Sequence, residues 1–216
     1  MRTKVLLCAA ALAASLASSM AQSNVYSLNV VGYYNVTISA GQQVMIANQL
    51  NTTNNTIGSL LPASMVHDGD HLYKYNGGFS TSFYSTDDGQ WDPDPTITMN
   101  PGEAAFYKPA VAETLTFVGE VEQGSLTNTL PLGIQVMRSS IVPQQGGISS
   151  VLGVPFDDGD HLYTFSGTYS TYFYSTDDGQ WDPTEPVINV GQGFFYKKAA
   201  GGHLANVNWV RNFTVQ

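Results

Sequence analysis

About ninety residues separate two nearly identical passages of this chain, and that duplication constrains its fold more than any other feature. His67-Asp-Gly-Asp-His-Leu-Tyr73 recurs as Asp157-Asp-Gly-Asp-His-Leu-Tyr163, and Ser85-Thr-Asp-Asp-Gly-Gln-Trp-Asp-Pro93 returns unchanged as Ser175–Pro183. Phe106-Tyr107-Lys108 comes back as Phe195-Tyr196-Lys197. Upstream, Gln43-Val44-Met45 aligns with Gln135-Val136-Met137, and Ile57, Leu60 and Leu61 with Ile148, Val151 and Leu152. A chain that carries one supersecondary unit twice folds that unit twice, so the problem reduces to one unit and to how two copies meet.

The strand expected to open each unit has a third copy. Leu28–Tyr34 resembles Leu115–Val121, and Val207–Phe213 follows the same alternation. Three such strands for two units suggest that the strand opening one unit completes the sheet of the unit before it. The join around Pro109–Glu113 has no long Gly/Ser-rich or Pro-rich linker of the kind that separates independent domains. The expected layout is therefore a leader at 1–21, a first β repeat over 22–114 and a second over 115–216, with 207–215 as the closing strand. Two beads with separate cores are the alternative.

Within a unit, Val44–Gln49, His71–Tyr75, Phe79–Ser85, Thr96–Met99, Ala104–Lys108 and Leu115–Val121 are short runs rich in β-branched and aromatic residues. Gly, Pro, Asn or Asp separates them. Asn55–Leu61 departs from this, because Ile57, Leu60 and Leu61 have helical spacing and Pro62 stops the run; Ile148–Leu152 repeats it. With only 12% charged residues, long surface helices are not expected. The fold class read here is all-β: two repeats in one pseudo-symmetric sandwich- or barrel-like body, with one short helical turn per repeat.

Residues 1–21 hold Arg2 and Lys4, an apolar run from Val5 to Ala17, and Ser19-Met20-Ala21 as a small-x-small cleavage site before Gln22. The run is too short and too rich in Ala and Ser for a membrane anchor. The sole cysteine, Cys8, lies inside this leader. An exported mature chain would thus hold together without disulfides. Seventeen acidic against eight basic residues give a net charge of −9, with no Lys/Arg run to meet nucleic acid or an anionic membrane surface.

The start Val-Tyr-Ser-x-Asn-x-Val-Gly-Tyr at Val25–Tyr33, Ile46–Leu50, Asp68–Tyr73 and Pro101–Phe106, with Gly191–Phe195 in the second unit, resemble a family of secreted bacterial two-repeat β proteins. The resemblance covers nearly the whole mature chain. It implies an exported β protein and carries no activity, catalytic residue or cofactor.

All twelve aspartates lie between Asp68 and Asp94 or between Asp157 and Asp182. Clustered carboxylates are what a hard cation needs, which makes Asp68, Asp70, Asp87, Asp88, Asp92, Asp158, Asp160, Asp177, Asp178 and Asp182 candidate Ca²⁺ ligands. The competing reading is turn chemistry: Asp68-Gly69, Asp88-Gly89, Asp158-Gly159 and Asp178-Gly179 are ordinary turn dipeptides. Trp91, Trp181, Tyr84 and Tyr174 are candidates for a glycan platform if exposed, and core plugs if buried. His71 and His161 alternate with tyrosines and share their strand face. No G-x-S-x-G elbow, phosphate loop or Cys nucleophile occurs. These features favour a non-catalytic binding or structural protein of the envelope or extracellular space, with a Ca²⁺-assisted carbohydrate-binding module second and a glycan-active hydrolase third. Envelope or matrix glycans are the expected partner class.

Overall fold

The computed structural model describes residues 30–199 and 206–215, so the leader expected at 1–21 lies outside the described residues. The first repeat runs β1 (Val30–Ile38), β2 (Val44–Ala47), α1 (Ile57–Leu60), β3 (His71–Tyr75), β4 (Phe79–Ser85), β5 (Gln90–Asp92), β6 (Ala104–Lys108) and β7 (Glu113–Val121). The second runs β8 (Gly124–Leu130), β9 (Gln135–Arg138), β10 (Gly146–Gly147), β11 (His161–Phe165), β12 (Tyr169–Ser175), β13 (Gln180–Asp182), β14 (Val187–Ile188), β15 (Phe194–Lys197) and β16 (Val207–Phe213).

Each repeat builds one five-stranded antiparallel sheet, in the order β2-β6-β3-β4-β5 and, in the copy, β9-β15-β11-β12-β13. A two-stranded ribbon accompanies each, β1 with β7 and β8 with β16. Among the described residues no sheet closes into a barrel, so the all-β repeat fold takes the layered form. The helical turn appears once. Leu60 and Leu61 N–H groups donate to Thr56 and Ile57 carbonyls in α1, whereas Val151 and Leu152 both donate to Gly147 O and form only a turn.

Period-two alternation decides which residues each sheet buries on which face. On one face of the first sheet Ile46, Leu72, Tyr84, Trp91, Ala105 and Tyr107 pack against Tyr34, Ile38, Leu115, Phe117 and Val121 of the ribbon, with Ile57, Leu60 and Leu61 filling the end. Leu130, Leu162, Trp181, Phe194, Tyr196 and Trp209 build the corresponding core of the second repeat. The opposite faces meet each other. Met45, Ala47, Ala104 and Phe106 pack on Met137 and Phe195, and the Phe106 and Phe195 rings lie 6.0 Å apart. Two backbone bonds repeat across this contact: Ala47 N–H donates to Gly191 O and Ser139 N–H to Gly102 O, both at 2.9 Å. Positions 47 and 139 are equivalent, as are 102 and 191, so the copies are related by a pseudo-twofold axis. One body, not two beads, is the result.

The shared opening strand is corrected by the pairing. Glu113–Val121 pairs with β1 along all nine positions and finishes the first repeat. Gly124–Leu130 opens the second and pairs with β16. The chain turns between them at Gly124, whose φ of +96° is open to glycine and strained for other residues. Each repeat thus owns both an opening and a closing strand. Thr96–Met99 is not a strand, since only Thr98 bridges, to Thr56.

Close approach at the axis makes a prediction. A Cβ on Gly193 would fall 2.5 Å from Ala104 Cβ and 3.3 Å from Ile46 O. Gly193→Val is expected to cost about 1–3 kcal/mol through overpacking. Both repeats should still unfold in one calorimetric transition, because they share a core; two separate transitions would refute the single-body reading.

Candidate functional site

The Asp-Gly-Asp loops build an equivalent hydrogen-bonded buried carboxylate in each repeat. Asp70 is buried and accepts from His67 N–H (2.7 Å), Ala110 N–H (2.7 Å) and the Tyr107 hydroxyl (2.8 Å). Asp160 accepts the equivalent bonds from Asp157 N–H (3.0 Å), Ala199 N–H (2.7 Å) and the Tyr196 hydroxyl. Each carboxylate therefore ties the loop before β3 or β11 to the end of β6 or β15. Burial, then the adjacent carboxylate, pushes both phenols above their ordinary pKa.

The two copies balance this buried charge differently. In the first, Glu113 Oε2 lies 2.8 Å from His67 Nδ1 while its other oxygen touches the Tyr107 hydroxyl. A phenol has one proton, so its contacts to Asp70 and Glu113 are both satisfied when Glu113 is protonated and donates to the phenol oxygen. Burial raises the Glu113 pKa in that direction, against the hydrogen bonds from Tyr107 and His67. In the second copy Asp157 replaces His67, and Lys198 replaces Pro109. The Lys198 ammonium, fully buried, sits 3.3 Å from Asp160 and 3.8 Å from Asp157.

His67, Asp70 and Glu113 are the one group of three metal-ligating side chains within 4.8 Å among the described residues. Their oxygens already hold the donors just named, and the same place in the copy holds an ammonium. The arrangement is a charge-balanced clamp. Of the ten aspartates expected to gather around Ca²⁺, only Asp70 stands in that group. Asp68 caps Thr86 through its N–H (3.0 Å) and hydroxyl (3.1 Å), and Asp158 does the same for Thr176 at the same two distances. Those bonds hold the Asp68 pKa below the usual carboxylate value. Ser85 and Ser175 hydroxyls donate to Asp88 and Asp178 across the turns that carry the exposed Asp87 and Asp177. Asp92 and Asp182 sit at the ends of β5 and β13. The structure disperses the cluster into turn caps and strand ends.

The glycan platform does not lie on the tryptophans. Trp91 and Trp181 are 1% and 5% exposed, donating to Leu61 O (3.0 Å) and Ser149 Oγ (2.7 Å). Tyr84 is buried edge-on against Trp91, and Tyr174 makes the same contact with Trp181. Beside Trp181 a cleft of about 700 Å³ is lined by Phe156, Tyr174, Pro183 and Glu185, where the first repeat leaves about 220 Å³ around Leu61, Ala63 and Pro95. Glu185 is the only acid in that lining. Desolvation pushes its pKa up, but bonds from Ser150 and Ser149 outweigh this and lower it.

What the sequence reading passed over is the outer part of the faces that meet at the axis. Strand register places Lys108 beside His71, His71 beside Phe83, and Phe83 beside Asp92, forming one row across β6, β3, β4 and β5. Lys197, His161, Phe173 and Asp182 form the same row in the copy. Phe83 and Phe173 are 44% and 40% exposed. The His71 ring lies 6.5 Å from Phe83 and 6.0 Å from Tyr73; the His161 ring lies 6.4 Å from Phe173 and 6.1 Å from Tyr163. Each histidine Nδ1 donates to a carbonyl, Gly69 O at 2.6 Å or Gly159 O at 2.7 Å. A carbonyl only accepts, so in the neutral ring Nε2 is the nitrogen left as an acceptor. The alternation of Phe79, Thr81 and Phe83, read against that of His71, Tyr73 and Tyr75, was the signal that could have found these rows.

No model of a known protein family matches the chain, and neither does a curated protein sequence or a solved structure.

Three outcomes are expected from the clamps. Asp160→Ala should destabilise by about 3–5 kcal/mol in urea unfolding, because it leaves the buried Lys198 ammonium only the more distant Asp157 and takes the acceptor from two backbone N–H groups, whereas Asp177→Ala should stay within about 0.5 kcal/mol. Millimolar Ca²⁺ should leave the melting temperature where a chelator leaves it. Because the folded state raises the Glu113 pKa, it holds that proton more tightly than the unfolded chain does. This contribution to stability is present below the ordinary carboxylate range and falls as pH rises through the folded pKa. Glu113→Gln should remove that downward slope from a plot of unfolding free energy against pH.

Proposed function

We propose that this chain is an exported, non-catalytic binding or structural protein of the envelope or extracellular space, of the kind its motifs resemble. The observation that carries the reading is how the candidate chemistry is used. The tryptophans plug cores, the buried acids clamp loops, and most other aspartates cap turns. Each copy also carries a row of exposed Lys and Phe with half-buried His beside them and Asp at the end, all on strands. Hydrolysis of a glycosidic bond needs two carboxyl groups across a cleft, one of them kept protonated. The cleft beside Trp181 offers Glu185 alone, with its pKa lowered. Export rests on the order of basic, apolar and small residues over 1–21.

The full chain, expressed with its leader in a bacterial host, is expected outside the cytoplasm with an intact mass beginning at Gln22. Incubated with plant, algal and bacterial polysaccharides, it should release no reducing ends. Retention of Met1–Ala21 in the exported form would sink the export reading, and steady release of reducing ends would sink the non-catalytic one.

A further inference from the structure

We propose that the two Lys-His-Phe-Asp rows are equivalent subsites for an acidic polysaccharide built of hexuronate rings; the inference rests on the non-catalytic binding reading and names its ligand class. Four antiparallel strands spaced by about 4.8 Å make each row about 14 Å long, a length that takes a short stretch of pyranose rings. The Phe83 ring offers an apolar surface for the C–H face of a sugar. On one side of it stand an acceptor, His71 Nε2, and a cation, Lys108; on the other stands the Asp92 carboxylate, an acceptor for hydroxyls. Lys197, His161, Phe173 and Asp182 present the same order.

Charge selects the acidic sugar. Among the described residues Lys74 donates to Thr98 O and Glu103, Arg138 to backbone carbonyls, Arg211 to Val151 O and Gln144, and Lys198 is buried. Lys108 and Lys197 are the two basic side chains among them that are classed as exposed, and both lie at the same end of the same row. Against a net charge of −9, the exposed lysines among the described residues stand at these two places. A carboxylate on a sugar ring over Phe83 is the group that Lys108 would meet. Nucleic acid, with a phosphate at every residue, needs more cations than two. A protein partner fits less well, because interface cores shed Lys and Asp, and here both flank the exposed ring.

Identity between the copies points the same way. Six of the 23 positions differ between 71–93 and 161–183, among them Tyr75/Phe165 and Phe79/Tyr169 near the axis, yet the three row residues in that span, His71, Phe83 and Asp92, are the same in the copy, as is Lys108 beyond it. Two rows on one rigid body let a repeating polymer bind both, so affinity for the polymer exceeds that of either row by avidity.

The test is affinity electrophoresis of the full exported chain, in chelator, through gels containing polygalacturonate, alginate or hyaluronate, with neutral galactan as the control. At least one uronate polymer should retard it, galactan should retard it less, and added salt should weaken the effect. Phe83→Ala/Phe173→Ala and Lys108→Ala/Lys197→Ala should each abolish retardation, while a change in one row alone should weaken binding by roughly 10²-fold through lost avidity. All these side chains are surface groups, so melting temperatures of the variants should match the parent; the lysine pair serves if the phenylalanine pair does not fold. Failure of all three uronates, equal retardation by galactan, or retardation indifferent to both double variants overturns the proposal and leaves the non-catalytic reading standing. Release of reducing ends in the same samples would instead overturn the non-catalytic reading.

Discussion

Everything in this molecule depends on the contact between the two copies of one sheet. A five-stranded sheet has two faces to cover, and in each repeat the ribbon, helped by α1 or its equivalent turn, covers only one. The other carries Met45, Ala47, Ala104 and Phe106, and it is covered by Met137 and Phe195 of the copy. Fully burying a Phe or Met side chain stabilises by about 1.5–3 kcal/mol, so separating the halves would expose several such groups at once. The paired bonds from Ala47 N–H to Gly191 O and from Ser139 N–H to Gly102 O set the registration, and the absence of a side chain at Gly193 permits the approach. A chain without cysteine in its described residues is held in this way by packing over a duplicated surface.

That architecture was legible wherever local pattern and tertiary role agree. β3, β4 and β6 start and end where aromatic and β-branched runs do; β6 is buried on both faces over Ala104–Tyr107, and β4 turns Ser82 and Tyr84 inward and Phe79, Thr81 and Phe83 outward. β8 was hidden by Asn128. Its inward positions are Leu126, Asn128 and Leu130, and the middle one donates to Gly102 O (3.0 Å) and Ser139 O (3.3 Å) rather than joining an apolar core. With the alternation interrupted, Leu115–Val121 looked like a strand that opens the second repeat as well as completing the first, when it completes the first alone. β5 and β13 were hidden by their length of three residues, so Trp91 and Trp181 stood outside the expected strands.

The candidate sites were harder to read because residue type does not reveal whether a group faces water. An Asp-rich stretch has the composition of a cation site and also that of a series of turn caps. The difference lies in where Thr86, Thr176, Tyr107 and Tyr196 point, which is set by pairing between segments distant in sequence. Comparison of the copies carried part of the answer. Asp157 in place of His67 adds a carboxylate, and Lys198 in place of Pro109 adds the ammonium that faces it. A buried carboxylate tolerates no uncompensated change, so the two substitutions are physically linked.

The clamps and the rows therefore differ in the kind of constraint they record. A clamp must keep its net charge balanced and its donors satisfied, and it can do so with His67 and Glu113 or with Asp157 and Lys198; identity is free while the sum is fixed. A surface row has no such sum to keep. Lys108 and Phe83 lie where water accepts most substitutions at a cost within about 0.5 kcal/mol, so folding alone gives little reason for the same two residues to stand in both copies, whereas half-buried His71 is also held by its bond to Gly69 O. An exposed phenylalanine beside a lysine and a histidine of defined tautomer is an arrangement that stability does not require. In the clamp two residues differ together, Asp157 with Lys198 against His67 with Pro109, while the exposed Lys108/Lys197 and Phe83/Phe173 are the same in both copies, an identity that the proposed ligand would account for.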